Sequence, residues 1–411
     1  MQHRLGNKAS VWTSAAVVAH TLWTSAAPSM TYPLYAAQWH LTTTVTAALF
    51  AIYSIVVVTV LIAFGTLSDH IGHRAAMLAG LGASIAGVLL FALAADVPTL
   101  FVGRILMGVG VGLSAGPSTA AVAAFAGAGQ ATRAGSITAA AQALGMAAAL
   151  IVGGGLVQYA PWPAHLTFWV LEGLLVPLFA ASWFLPGRVA GRSASRWKPR
   201  LPRVEPAYRG AFVTAALAVS AAYAQAGVVM SLGAQAVHDL VNSPNALVNG
   251  ASLSLLAVAM GAVSLMARGL GGRTAMAGGA IASALGAAFL AGAVAWQSLA
   301  LFLAASASVG AGYSMLFVGG LGLINMTVPE EQRGGTLSAV YLAAYLSIGV
   351  LSVALGRIAT LFGLNTAIDI GAAAMALLSG LTILRLLAAP AKRVETVPKD
   401  QVATPFKSEM G

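Results

Sequence analysis

The stretch Phe64–Met77, "FGTLSDHIGHRAAM", carries one aspartate, two histidines and one arginine within six residues. Residues 9–68 before the aspartate and residues 75–95 after the arginine contain no Asp, Glu, Lys or Arg. An apolar run of about 20 residues is long enough to cross the hydrocarbon core of a bilayer as a helix. The stretch is therefore interpreted as a short charged turn between two membrane-spanning helices.

The composition of the whole chain supports this interpretation. Of its 411 residues, 59% are hydrophobic and only 8% are charged, whereas soluble domains carry about 25% charged residues. A large oligomeric soluble core is disfavoured because the apolar residues form long runs, and a β-barrel would show alternating strands of about ten residues. The chain has no cysteine, which excludes disulfides, thiolate metal sites and thiol catalysis.

Twelve apolar spans are predicted, and a basic, proline-rich segment divides them six and six. The predicted spans are 11–36, 42–64, 75–95, 98–124, 132–158, 164–185, 208–236, 246–267, 273–294, 297–325, 334–361 and 364–387. The domains predicted from them are an N-terminal six-helix bundle (1–185), a cytoplasmic linker (186–207), a C-terminal six-helix bundle (208–387) and a flexible cytoplasmic tail (388–411).

The basic residues predict the orientation. With the N-terminus in the cytoplasm, 19 of the 21 lysines and arginines fall on cytoplasmic loops and tails, as the positive-inside rule requires. The net charge of +10 is thus a topology signal and a lipid-headgroup contact, and no nucleic-acid partner is expected. We expect a multi-pass protein of the bacterial inner (plasma) membrane with both termini in the cytoplasm.

The two halves repeat at an offset of 200 residues. "TRAGS" (Thr132–Ser136) aligns with "QRGGT" (Gln332–Thr336), and "VGVG" (Val109–Gly112) aligns with "VGAG" (Val309–Gly312). Because six spans are an even number, the halves would be parallel repeats related by a pseudo-two-fold axis along the membrane normal. That arrangement predicts a binding site near the midplane, between the halves.

The opening stretch also has an ordered motif, Gly65-x-Leu-x-Asp69-x-x-Gly72-His73-Arg74. It resembles the signature loop of the major facilitator superfamily, and with the six-plus-six layout the resemblance covers nearly the whole chain. The resemblance implies a cytoplasmic gating motif made of Gly65, Asp69, Gly72 and Arg74. His73 departs from the pattern, where the family usually has a cation of fixed charge, so the gate is either pH-sensitive or weaker.

Span 4 contains Arg104 followed by glycines spaced two residues apart (Gly108, Gly110 and Gly112). A buried arginine in a bilayer needs a partner or a water-filled cavity. The segment resembles the span 4 motif of the superfamily's proton-coupled exporters, in which the arginine is thought to tune a protonatable group. The alternative to this coupling role is that the Arg104 side chain extends to the headgroups of the outer leaflet. In span 5 the exporter motif is incomplete, because Ala149 and Leu150 replace its Gly-Pro pair.

Few groups within the spans are able to carry a proton. The coupling candidates are Arg104, His20 and Glu172; the alternative for the last two is a buried polar group satisfied by a neighbouring helix. The resemblance implies that spans 1, 4, 7 and 10 line a central cavity. The cavity candidates are Trp23, Tyr32, Tyr223, Gln225, Tyr313, Asn325, Tyr341 and Tyr345. This apolar, aromatic lining suits an amphipathic or weakly charged solute.

The function predicted is secondary active transport by alternating access, coupled to protons and exporting small amphipathic compounds. Uptake of a small metabolite is the alternative. An enzyme or a sensor is disfavoured because the chain shows no phosphate loop, catalytic cysteine or attached soluble domain, and His70 and His73 are explained better by the loop than by a metal. We therefore expect no cofactor and no metal. The expected partners are a small-molecule substrate, protons and the lipid bilayer, and the protein is expected to be a monomer.

Overall fold

The computed structural model describes residues 4–65, 67–127, 130–187, 204–239 and 243–388, without the side chains at 69, 131, 132, 239, 268, 330, 331 and 334. Regular structure in these ranges is helical throughout. The α-helices are α1 (Asn7–Ala26), α2 (Tyr32–Trp39), α3 (Thr43–Phe64), α4 (Leu67–Ile71), α5 (His73–Ala92), α6 (Val97–Ala126), α7 (Ala131–Tyr159), α8 (Pro163–Trp183), α9 (Arg209–Asp239), α10 (Ala246–Met266), α11 (Gly272–Ala295), α12 (Leu299–Thr327), α13 (Glu330–Phe362) and α14 (Leu364–Ala388).

Twelve of the described helices have 20 residues or more, in agreement with the predicted number of spans. Eleven of them are long and apolar enough to cross a membrane by length and composition. The exception is α1, whose 20 residues begin with one asparagine and one lysine and include several serines and threonines. Its polar groups face inward, because Ser10, Ser14, His20 and Thr21 are buried against neighbouring helices.

Local sequence explains where the helices of the first half begin and break. Pro28 interrupts the first span, so that α1 passes through a 3-10 turn (Ala27–Met30) into α2. Asp96 caps α6 by accepting a hydrogen bond from the Thr99 amide at 2.9 Å. The signature stretch contains a feature that the spans did not predict, the five-residue helix α4.

Glycines allow close contacts between helices within each half. A Cβ placed on Gly110 of α6 would collide with the Ser84 side chain of α5, and one on Gly312 of α12 would collide with Ser283 of α11. Similarly, Gly108 packs on the backbone of Tyr53 in α3, and Gly310 packs on that of Leu256 in α10. These contacts recur 202 residues apart in α6 and α12, so the predicted alignment of Val109–Gly112 with Val309–Gly312 is displaced by two residues there. The two-fold axis itself stays a prediction.

Two helix pairs join the halves, α3 with α13 and α7 with α10. We call the end of the bundle where α1 begins the near end, and the opposite end the far end. At the far end the Thr44 Oγ1 lies 2.8 Å from the Thr360 Oγ1, and the Ala246 amide donates to the Gln158 Oε1 at 2.7 Å. Gly250 of α10 also packs directly on the Leu150 carbonyl of α7. The far ends of the two halves are therefore closed against each other.

Candidate functional site

Aromatic side chains of the second half converge beside the interface. Tyr223 of α9 lies 4.8 Å, centroid to centroid, from Tyr345 of α13 and 5.8 Å from Tyr313 of α12. Phe317 stacks on Tyr313 at 5.8 Å and lies 6.2 Å from Tyr341. The hydroxyl groups of Tyr313 and Tyr345 both interact with that of Tyr223. Four of the predicted cavity residues thus form one group, which we call the tyrosine cluster (Tyr223, Tyr313, Phe317, Tyr341 and Tyr345).

Arg104 is the largest fully buried side chain among the described residues, with 0% of its surface exposed. Its Nε donates to the Leu49 carbonyl at 3.1 Å and its Nη1 to the Ser25 carbonyl at 3.5 Å, while Nη2 has no hydrogen-bond partner. The guanidinium also lies 4.3 Å from the centre of the Tyr53 ring. Arg104 therefore points into the protein, which excludes the alternative that it extends to the headgroups.

Tyr53 lies on α3, the helix of the first half that packs on α13 of the second half. It is buried, and its ring covers the Arg104 guanidinium. Tyr32, a predicted cavity residue, is also buried and interacts electrostatically with Arg104. Sequence reasoning missed Tyr53 because span 2 was not among the spans expected to line the cavity; a polar aromatic residue midway through an apolar span was the available signal.

The structure places His20 inside the first half rather than beside the tyrosine cluster. Its Nε2 lies 3.3 Å from the Ser84 Oγ of α5, and its Nδ1 contacts the Val17 carbonyl one turn earlier. Ser84 in turn packs on Gly110 of α6. This position is the alternative that the sequence left open, a buried polar group satisfied by a neighbouring helix.

Glu172 lies on α8 with 9% of its surface exposed, and its Oε2 has no hydrogen-bond partner. It follows Phe168 by four residues, so it shares the helix face that packs on Phe91 of α5. The structure therefore places Glu172 on the face of α8 that packs on α5, and Glu172 is not among the described partners of Arg104.

The remaining predicted cavity residues are dispersed. Gln225 is fully buried and has no hydrogen-bond partner, but it shares a helix face with Ala221 and Ala222, which pack with α11 and α12 residues. Asn325 is exposed near the end of α12, and Trp23 packs at the edge of the main core. Asn325 and Trp23 are not part of the tyrosine cluster, whereas the alanines that share a helix face with Gln225 pack with Tyr313 and Phe317 of that cluster.

The signature loop has a backbone that requires glycine at one position. Gly72 precedes α5 with a φ of 86°, a conformation that strains residues with a Cβ. The Arg74 guanidinium lies 5.8 Å from the centre of the Trp183 ring at the end of α8. The Asp69 side chain lies outside the described residues, so the gating role assigned to Gly65, Asp69, Gly72 and Arg74 stays a prediction.

The second half also has an arginine at the start of its third span, but this arginine makes a different kind of contact from that of Arg74. Arg273, at the start of α11, donates to the Leu386 carbonyl near the end of α14. Both arginines thus reach from the start of the third helix of their half to the end of the sixth. Two small cavities of about 20 Å³ flank the signature loop, one lined by His73 and Arg74 and the other by Gly65 and Ser68.

No group of three or more His, Cys, Asp or Glu side chains able to hold a metal ion occurs in the described part of the chain. The arrangement is instead one of apolar helices in two sets, with a buried cation and tyrosines where the sets meet. This is the architecture of an integral membrane transporter, in which a solute binds between the halves.

The comparisons with known proteins agree with this class. A family model described as Major Facilitator Superfamily matches residues 13–275, and the chain belongs to that superfamily. Two solved structures, titled as nucleoside transporter NupG and as a point mutant of it, superpose with TM-scores of 0.73 and 0.72. Each is 13% identical to this chain, and the superpositions include 94% and 92% of this chain and 100% of the solved chains. This likeness shows the fold. No curated protein matches.

Proposed function

We propose that the protein transports small amphipathic compounds by alternating access, exporting them at the expense of a proton gradient. The observations that carry this proposal are a buried guanidinium covered by the Tyr53 ring in the first half and the tyrosine cluster in the second half. Aromatic rings supply apolar contact area while their hydroxyls supply a few oriented polar groups, which is the usual composition of a small-molecule site.

The interface between the halves supports alternating access. The far end is held by contacts that are small and separable, namely the Thr44–Thr360 and Gln158–Ala246 hydrogen bonds and close glycine contacts. Helix pairs such as α5 with α6 and α11 with α12 pack closely within each half, so we expect the halves to rock as bodies while the far-end contacts break and reform. The near end would then open when the far end closes.

Export is favoured by the resemblance of the span 4 segment around Arg104 to that of proton-coupled exporters. The runner-up is uptake of a small metabolite; one solved structure whose fold this chain shares is titled as a nucleoside transporter. Among the coupling candidates, Arg104 lies beside the interface, whereas His20 and Glu172 lie within the first half. Protonation of His20 would therefore act on the site through α1 and α6.

The test is a flux assay in proteoliposomes of purified protein, with a pH-sensitive dye inside and a library of amphipathic compounds applied outside. An imposed proton gradient should drive at least one compound, and its direction relative to proton movement distinguishes antiport from symport. Arg104→Ala should abolish the coupled flux. If no gradient drives any compound, and Arg104→Ala behaves as the wild type, the proposal is wrong.

Two tyrosine variants test whether the cluster is the site. Tyr223→Ala, at the centre of the cluster, should reduce transport at least about fivefold, because loss of a buried aromatic contact is worth more than about 1 kcal/mol of binding. Tyr159→Ala is the matched control, because Tyr159 is 71% exposed at the far end of α7. Equal activity of the two variants would place the site elsewhere.

A further inference from the structure

Arg104 has a full positive charge, and the described part of the chain supplies no counter-ion for it. Its described partners are two carbonyl groups, the Met107 sulfur at 4.0 Å and the Tyr53 ring, and no carboxylate of the described residues forms an ion pair with it. An ion removed from water costs several kcal/mol unless an opposite charge and hydrogen bonds compensate it. Carbonyl dipoles and one aromatic face compensate only part of that cost.

The donors around Arg104 are also incompletely used. The Nη2 of Arg104 and the hydroxyl groups of Tyr32 and Ser29 are buried and have no hydrogen-bond partner. Tyr32 interacts electrostatically with Arg104, and Ser29 follows Ser25, whose carbonyl accepts from the guanidinium, by four residues. A buried polar group without a partner is uncommon in native proteins and requires an explanation.

The charge is not repeated in the second half. The glycine contacts relate Gly108 of α6 to Gly310 of α12, an offset of 202 residues, and the same offset places Ser306 where the first half has Arg104. Ser306 is buried and neutral. The site therefore has one uncompensated positive charge on one side of the interface and neutral tyrosines on the other.

We propose that Arg104 binds the anionic group of the transported compound, and that the substrates are amphipathic monoanions such as aromatic carboxylates. The carboxylate would accept from the free Nη2 and from the Tyr32 hydroxyl, and the apolar body would extend past Tyr53 to the tyrosine cluster. This inference rests on the proposed transport function and adds the charge of the substrate to it.

The test measures binding without any gradient, by thermal unfolding of the detergent-purified full chain. The probes are matched pairs that differ only in charge, such as 4-hydroxyphenylacetate and 4-hydroxyphenylacetamide, with alkyl and aryl members of different length. At least one acid should stabilise the wild type at a concentration at least about thirtyfold lower than its amide, the factor expected when one partner of a buried charge pair is missing. If no acid in the panel binds more tightly than its amide, the proposal is overturned.

Two variants assign the preference to this residue. Arg104→Gln should remove the preference for the acid while amide binding stays within about threefold of the wild type. Tyr32→Phe leaves Arg104 in place and should weaken acid binding severalfold with no change for the amide, which keeps the assignment testable if Arg104→Gln does not fold. An acid preference that is unchanged in either folded variant would contradict the assignment.

The binding assay and the flux assay separate this inference from the proposed function. Acid binding that depends on Arg104, together with no proton-driven flux, would leave the anion site standing and refute coupled transport. Proton-driven flux of neutral compounds with no acid preference would support coupled transport and refute the anion site.

Discussion

Gly154→Ala tests whether the closed far end belongs to a transport cycle. A Cβ on Gly154 of α7 would lie 2.5 Å from the Ala246 carbonyl oxygen of α10, on the other half of the protein. Real Cβ atoms essentially never approach within 3.0 Å, and ordinary contacts begin at 3.4 Å. The two helices would have to separate by about 0.9 Å, a shift of the kind that overpacked cores make at a cost of about 1–3 kcal/mol.

This cost falls only on the state in which α7 and α10 touch at the far end. The ratio of closed to open far ends should therefore decrease by a factor of about 5 to 150. Gly155→Ala is the matched control, because a Cβ on Gly155 would meet its nearest atom, in the Leu247 side chain, at an ordinary 3.8 Å. The two variants differ by one position and add the same methyl group.

The assay uses the absence of cysteine from the chain. A single cysteine introduced at Ala47 of α3, which is fully buried and faces Gly356 of α13 in the closed state, is labelled with a maleimide in detergent. Its labelling rate reports how often the far end opens, and it should increase in Gly154→Ala but not in Gly155→Ala. Equal rates in two variants that elute as folded protein would refute the view that this contact is broken and reformed.

Three further predictions concern other contacts. The hydroxyl oxygens of Thr44 and Thr360 are 2.8 Å apart. In a Thr44→Cys/Thr360→Cys variant, oxidation should therefore form a disulfide and stop flux, and a reductant should restore the flux. Full flux from protein that mass spectrometry shows to be cross-linked would contradict a cycle in which the far end opens and closes. Hydrogen bonds from the Thr99 hydroxyl and amide hold the pKa of the exposed Asp96 carboxyl below its usual range, so this cap stabilises the fold above pH about 4 and is lost as the carboxyl is protonated. Asp96→Ala should therefore lower the melting temperature at pH 7 by more than at acidic pH, whereas Asp96→Asn, which keeps the acceptor, should not; a deficit independent of pH would argue against the cap. Asp69→Asn should impair flux in proteoliposomes while the protein stays folded, and unchanged flux would reduce the signature motif to a positively charged loop.

Much of the fold was predictable because hydropathy and helix-breaking residues act locally. The predicted spans agree with the helices to within about four residues at most ends, and Pro28 breaks the first span where a proline ring prevents a continuous helix. The repeat of about 200 residues anticipated that contacts recur, but the Ser84–Gly110 pair recurs as Ser283–Gly312, two residues from the predicted alignment of the glycines. The division at 186–207 and the tail from 388 lie largely outside the described residues and stay predictions.

The site was predictable in part. Tyrosines of spans 7, 10 and 11 were expected to share a cavity, and the structure brings Tyr223, Tyr313, Tyr341 and Tyr345 together. Tyr53 was not anticipated, although its ring covers the Arg104 guanidinium.

What the sequence by itself determined is the number of helices, their ends, the repeat and the presence of a costly arginine within span 4. Which way each buried polar side chain points was decided only by the tertiary structure. In a soluble helix the polar face reveals the solvent side, but spans such as α3 and α6 are apolar on every face, so periodicity does not distinguish lipid, neighbour and cleft. His20 turns to Ser84 and Arg104 to Tyr53 because those helices pack there through small residues.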